Sequence, residues 1–119
     1  MGARANRHRG EIEAVVNGER RILCLTLGAL AELETAFETD NLAGLAARFG
    51  QGRLSAHDII RILGAGLRGA GNLASDEDVA IMDFEDGVAG AARIVTALLA
   101  ATFLGPEAGQ NPMPPQPQT

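Results

Sequence analysis

Gly64-Ala65-Gly66-Leu67-Arg68-Gly69 spells GxGxxG, a spacing at which backbone N–H groups can close on a pyrophosphate. That chemistry needs a buried strand before the first glycine and a helix opening at the loop. Here a helical pattern that starts at Ser55 runs into the glycines and polar residues follow, so the sequence predicts a close-packed helix end capped by Gly69 or Gly71. Asp76, Glu77, Asp78, Asp83, Glu85 and Asp86 could offer oxygens to a hard cation. No glycine stands where a calcium loop turns, and a Ser75 helix cap accounts for the first three acids, so a solvated acidic face is expected. His8, His57 and Cys24 share no zinc-site spacing, and Cys24 reads as an inward-facing strand residue, a small core hydrophobe. No Ser, His and Asp set suggests a triad. The reading is of a non-enzymatic chain with no catalytic, cofactor-binding or metal residues and no cofactor.

Composition supports that reading. All ten basic residues are Arg, so Schiff-base chemistry and the P-loop cation are excluded. Trp and Tyr are absent and only four Phe are present, which excludes an aromatic platform for single-stranded nucleic acid. Beyond residue 9, seven Arg face fifteen carboxylates, a balance that disfavours duplex DNA and a helix-turn-helix reading of residues 55–71. One cysteine and a charged opening without an apolar run suggest a cytoplasmic protein without a signal peptide. All five prolines follow residue 105. The expected organisation is a basic disordered arm over 1–9, one α+β domain over 10–104 and a disordered Pro/Gln-rich tail over 105–119. The PxxP spacings in that tail, Pro112 to Pro115 and Pro114 to Pro117, read as a flexible spacer.

The elements that position these residues follow from periodicity. Residues 10–26 place two apolar runs around Asn17-Gly18, the signature of a β-hairpin. A strict two-residue turn pairs Val16 with Glu19, whereas one added loop residue aligns Ile12, Ala14 and Val16 with Ile22 and Cys24. The second gives one clean apolar face, so a bulged turn is expected. From Thr26 the period becomes helical, with Leu27, Leu30, Leu33 and Phe37 on one face. A short second helix, capped by Asp40 or Asn41, carries Leu42, Leu45, Ala46 and Phe49 and closes at Gly50. Ser55 with Asp58 opens a third helix whose core face is Ile59, Ile60, Leu63 and Leu67. Ser75 with Asp78 opens a fourth, running through Met82 and Phe84.

The last helix, from about Val88 to Leu104, holds one charge, Arg93, and falls short of the ~20 apolar residues that span a bilayer. No membrane partner is expected. Val88, Ala91, Ala92, Val95, Leu98, Leu99 and Phe103 form a broad packing face. Ile94, Ala97, Ala101 and Leu104 form a second stripe on the far side. About ninety-five residues offer little to cover a helix that is apolar nearly all round, so part of it should meet another chain. The expected partner-binding residues are Ile94, Ala97, Ala101 and Leu104, with Leu67 and Arg68 beside them. An unpaired hairpin edge and this helix would each allow a homo-oligomer.

The order of motifs carries a resemblance. An Asn17-Gly18 hairpin precedes Leu25-Thr26-Leu27-Gly28-Ala29-Leu30-Ala31-Glu32-Leu33-Glu34, then Ser55-Ala56-His57-Asp58, Ala65-Gly66-Leu67-Arg68-Gly69-Ala70-Gly71, Ser75-Asp76-Glu77-Asp78 and an Ala/Leu-rich closing helix. Over residues 10–104 this resembles the gene transfer agent tail proteins encoded between the major tail protein and the tape measure, which are grouped with phage tail assembly chaperones. Neither of its sharpest pieces, LTLGALAELE and AGLRGAG, is a catalytic signature, and no functional residues carry over. The resemblance implies a chaperone that binds the tape measure protein and recruits major tail tube subunits. The alternative is a structural tail tube or tail-terminating component kept in the particle. A small nucleotide-binding module ranks third.

Overall fold

The structure is a computed structural model and describes residues 10–51 and 53–104; the expected arm and tail lie outside the described residues. Strands β1 (Glu11–Val16) and β2 (Glu19–Cys24) form an antiparallel hairpin. Helices α1 (Leu27–Ala36), α2 (Leu42–Gly50), α3 (Ala56–Gly69), α4 (Asp76–Ala80) and α5 (Gly87–Leu99) follow, and a π-helical turn (Ala100–Leu104) extends α5. The α+β class is as the sequence predicts.

The hairpin register is not the bulged one. Asn17 and Gly18 take φ values of 52° and 81°, the left-handed pair that a two-residue hairpin turn requires. Val16 therefore pairs with Glu19, Ala14 with Arg21 and Ile12 with Leu23. Leu23, fully buried, is the β2 residue that joins Ile12, Ala14 and Val16 in the core, while Ile22 and Cys24 are half-buried on the opposite face. Arg21 and Glu19 stand exposed at the turn end and pair with each other at 2.6 Å. Turn chemistry outweighed the cleaner apolar alignment because two adjacent residues that accept positive φ set the loop length directly.

Both hairpin edges have partners, where an unpaired edge was expected. Beyond β1, Phe84 bridges Val16. The Asn17 N–H donates to the Asp83 carbonyl at 2.8 Å, and the Asp83 N–H donates to Asn17 Oδ1 at 2.8 Å. Phe84 is thus buried in an extended segment and not on α4, which stops at Ala80. Beyond β2, Asn72 Nδ2 donates to the Ile22 carbonyl at 3.0 Å.

Capping side chains begin four of the helices. Thr26 Oγ1 accepts from the Ala29 N–H, Asn41 Oδ1 from Gly44, and Ser55 and Ser75 each form a reciprocal capping box with Asp58 and Asp78. The exposed faces hold surprises. Leu27, expected in the core, is 79% exposed, and Leu42 is also exposed. On α3 the buried residues are Asp58 and the run from Ile62 to Leu67, while Ile59 and Ile60 are only half-buried. The reason is that small residues let β2, α4 and α5 press on α3 at once. A Cβ on Gly66 would stand 2.8 Å from the Leu98 side chain and 3.2 Å from Leu23 Cβ. One on Gly69 would collide with the Cys24 carbonyl, and one on Gly64 with the Asp76 carboxylate. The helix runs unbroken through this glycine motif. It ends in a Schellman turn, with Gly71 at φ 94°, its N–H on the Arg68 carbonyl, and the Asn72 N–H on Leu67.

Helix α5 with its π turn spans 18 residues at a mean hydropathy of 1.7. By length and composition alone it could cross a membrane, where the sequence reading set it too short. In this fold Val95 and Leu98 are fully buried, yet only 22% of the 18 residues count as buried at all. Thr102 Oγ1 donates to the Leu98 carbonyl at 2.7 Å, competing for the i−4 acceptor where the helix widens.

Candidate functional site

Three faces of α5 meet different neighbours. Ala91, Val95 and Leu98 point into the core. Ile94 and Ala97 are half-buried and line a hollow shared with Ile12, Ala14 and Val15 of β1, and Ala101 is also half-buried against the core. The stripe expected on the far side is therefore flanked by the hairpin. The face that remains open is the third, where Val88 is 80% exposed, Leu99 and Phe103 are half-buried, and Leu104 is 67% exposed at the end.

Two hollows run along that open face. One of 390 Å³ lies between α3, the end of α4 and the start of α5, walled by Ile59, Ile60, Met82, Phe84 and Val88. The other, of 350 Å³, lies between α2 and the end of α5, walled by Ala46, Phe49, Leu99, Phe103 and Leu104. Leu54 lines both, so the two hollows adjoin there as an apolar groove in two parts, and the first also borders, through Ile60 and Ala80, a hollow walled by His57, Arg61, Asp76 and Glu77. Among the described residues lining it, Asp83 is the single charged one. Aliphatic and aromatic walls with one carboxylate suit binding by burial of apolar surface.

The remaining predicted partner residues lie elsewhere. Leu67 is 1% exposed, inside the core. Arg68 ties three elements together. Its Nη2 donates to Glu32 Oε1 of α1 at 2.7 Å, its Nη1 donates to the Ala74 carbonyl at 2.7 Å, and both reach Asp76 Oδ1 at 3.2 Å. The Glu32 hydrogen bond, opposed in part by burial and assisted by Asp76, raises the Arg68 pKa above its ordinary value. A second buckle joins α2 to α3, with Arg48 Nη2 at 3.4 Å from buried Asp58 and its guanidinium 4.7 Å over the Phe37 ring. At the α4 cap, hydrogen bonds from the backbone and side chain of Ser75 hold the Asp78 carboxyl below its ordinary value. Cys24 is half-buried and in no disulfide. Among the described residues no three His, Cys, Asp or Glu side chains converge as metal ligands.

Sequence reasoning counted Val88, Leu99 and Phe103 as packing residues and missed their groove. Apolarity on a helical wheel marks what prefers burial, and carries no signal of which neighbour is long enough to cover it. Residues 9–105 match the model of a family described as phage tail tube protein, GTA-gp10. The chain belongs to that family. The match spans the whole described fold, from hairpin to π turn, and agrees with the resemblance to a gene transfer agent tail protein. No curated protein and no solved structure matches the chain. As a member of a phage tail tube family, it takes other tail components as its partners.

Proposed function

We propose that this protein is a non-enzymatic tail assembly chaperone of a gene transfer agent, acting in the cytoplasm of the producing cell. It holds an apolar helical segment of the tape measure protein in the α5 groove and brings major tail tube subunits to it. The observation that carries this reading is the groove itself: an 18-residue apolar helix, 22% of it buried, with Val88 and Leu104 exposed along a channel that has one charge. Apolar surface of that kind on a small domain marks a site that another chain covers, and a groove between helices suits an amphipathic helix. Leu104 is shared with the stripe expected from sequence, whereas Ile94, Ala97 and Ala101 lie on the hairpin side.

The test is coexpression with the neighbouring tape measure protein. Val88→Glu places a charge in the groove at a site whose exposure makes it harmless to folding, and copurification should fall to background. Copurification equal to the parent, with the variant folded, removes the groove from the proposal. The family description favours a second reading, a tube component kept in the particle. Protein present in cells and missing from purified particles supports the chaperone; stoichiometric presence in particles supports the tube component.

A further inference from the structure

Asp83 is the one charge in the groove, and its position is fixed. Its N–H and carbonyl are both engaged by Asn17, at 2.8 Å each, so the backbone that carries the carboxylate is held at the hairpin tip. It stands at the α4–α5 end, beside exposed Glu85 and beside Asp86, which pairs with Arg93 at 2.7 Å. The opposite end, around Phe49, Leu99 and Leu104, has no charged residue in its wall. The groove is therefore polar in the electrical sense along its length, negative at one end and neutral at the other.

Resting on the groove reading above, we infer that the occupant is an amphipathic α-helix with an Arg or Lys in its terminal turn, paired with Asp83. From Val88 to Leu104 the groove is about 25 Å long, the length of a helix of about sixteen residues. Its aliphatic side chains at i, i+3, i+4 and i+7 fill the two hollows on either side of Leu54. The basic residue then lies over Asp83 and sets which way the helix runs. A second copy of this chain fits poorly, because with ten Arg against fifteen carboxylates it is itself net acidic, at −5. A partner with a basic end is complementary.

Peptides of about eighteen residues, tiling the tape measure protein of the same gene cluster, are titrated against the full chain by fluorescence anisotropy at low and high salt. The binders should share aliphatic spacing with Arg or Lys in one terminal turn. Asp83→Lys should weaken them about tenfold or more at low salt, and Asp83→Asn, which keeps the side chain's size and the backbone bonds, should flatten the salt dependence. Unfolding midpoints near the parent's confirm that both variants fold. Binders without a basic residue, or affinities unmoved by Asp83→Lys but lost on Val88→Glu, overturn this inference and leave the groove reading standing. Affinities unmoved by Val88→Glu, or no binding by any peptide, overturn the groove reading and this inference with it.

Discussion

Arg68 and Arg93 show why a count of ion pairs says little about stability. The Arg93 pair with Asp86 is at 2.7 Å, but both side chains are about two-thirds exposed, so solvent screens it and its worth is near zero. Arg68 is 30% exposed, contacts two carboxylates and also satisfies the Ala74 carbonyl. Removing it strands that carbonyl and two partly covered acids. Arg68→Met should cost about 1–2 kcal/mol in urea unfolding, against less than about 0.5 kcal/mol for Arg93→Met. Equal costs would show that the three-element tie is cosmetic. Asp78 adds a pH dependence. Its folded carboxyl titrates below the ordinary 3.8, so the stability it supplies is present above that value and is lost as pH falls through the depressed one. Asp78→Asn should therefore flatten the acid limb of an unfolding-versus-pH curve and leave its neutral region's slope unchanged.

At the scale of elements, α3 is the piece on which the others are stacked, and its glycines set how closely. Replacing glycine by alanine in a helix gains about 1 kcal/mol of propensity, so the sign at each site depends on what the new Cβ meets. At Gly66 it meets the end of the Leu98 side chain, which can turn aside, along with Leu23 Cβ at 3.2 Å. At Gly69 it meets the Cys24 carbonyl, part of the β2 backbone, which can move only with the strand. Gly69→Ala should thus destabilise by about 2–3 kcal/mol, and Gly66→Ala by less than about 1 kcal/mol, read as shifts in the denaturant midpoint at constant slope. Helix starts and caps were legible in the sequence because Thr26, Asn41, Ser55 and Ser75 act on N–H groups three residues away, whereas the end of α4, expected beyond Met82, falls at Ala80. The hairpin register was half legible. Asn17-Gly18 declared the turn, but ranking alignments by apolar pairing placed Cys24 where Leu23 belongs. Phe84 was illegible for a different reason: its partner, Val16, lies 68 positions earlier in the chain, and no local pattern reports a bridge of that span. The groove failed likewise, since α5 displays three apolar faces and only the positions of β1, α2 and α3 decide which stays open.

For the whole molecule, the question is whether partner binding must reshape the domain. Both hairpin edges are tied, one buckle joins α1, α3 and α4 and another joins α2 to α3, and among the described residues no buried side-chain polar atom lacks a hydrogen bond. A domain so closed on itself has nothing left to order, so a helix can enter the groove without paying for refolding. Binding to the folded state alone raises stability by about 2.7 kcal/mol when free ligand is at 100 times its Kd. For a domain of this size each kcal/mol moves Tm by roughly 4–8 °C, so a groove-binding tape measure peptide should raise the full chain's Tm by about 10–20 °C. The same peptide should leave the Tm of Val88→Glu where it was, and that variant alone should melt near the parent, because Val88 is 80% exposed and little packing is lost with it. A peptide that binds yet lowers Tm, or that shifts parent and variant alike, would mean that the partner acts on an opened chain, and the preformed groove between α2, α3 and α5 would not be its seat.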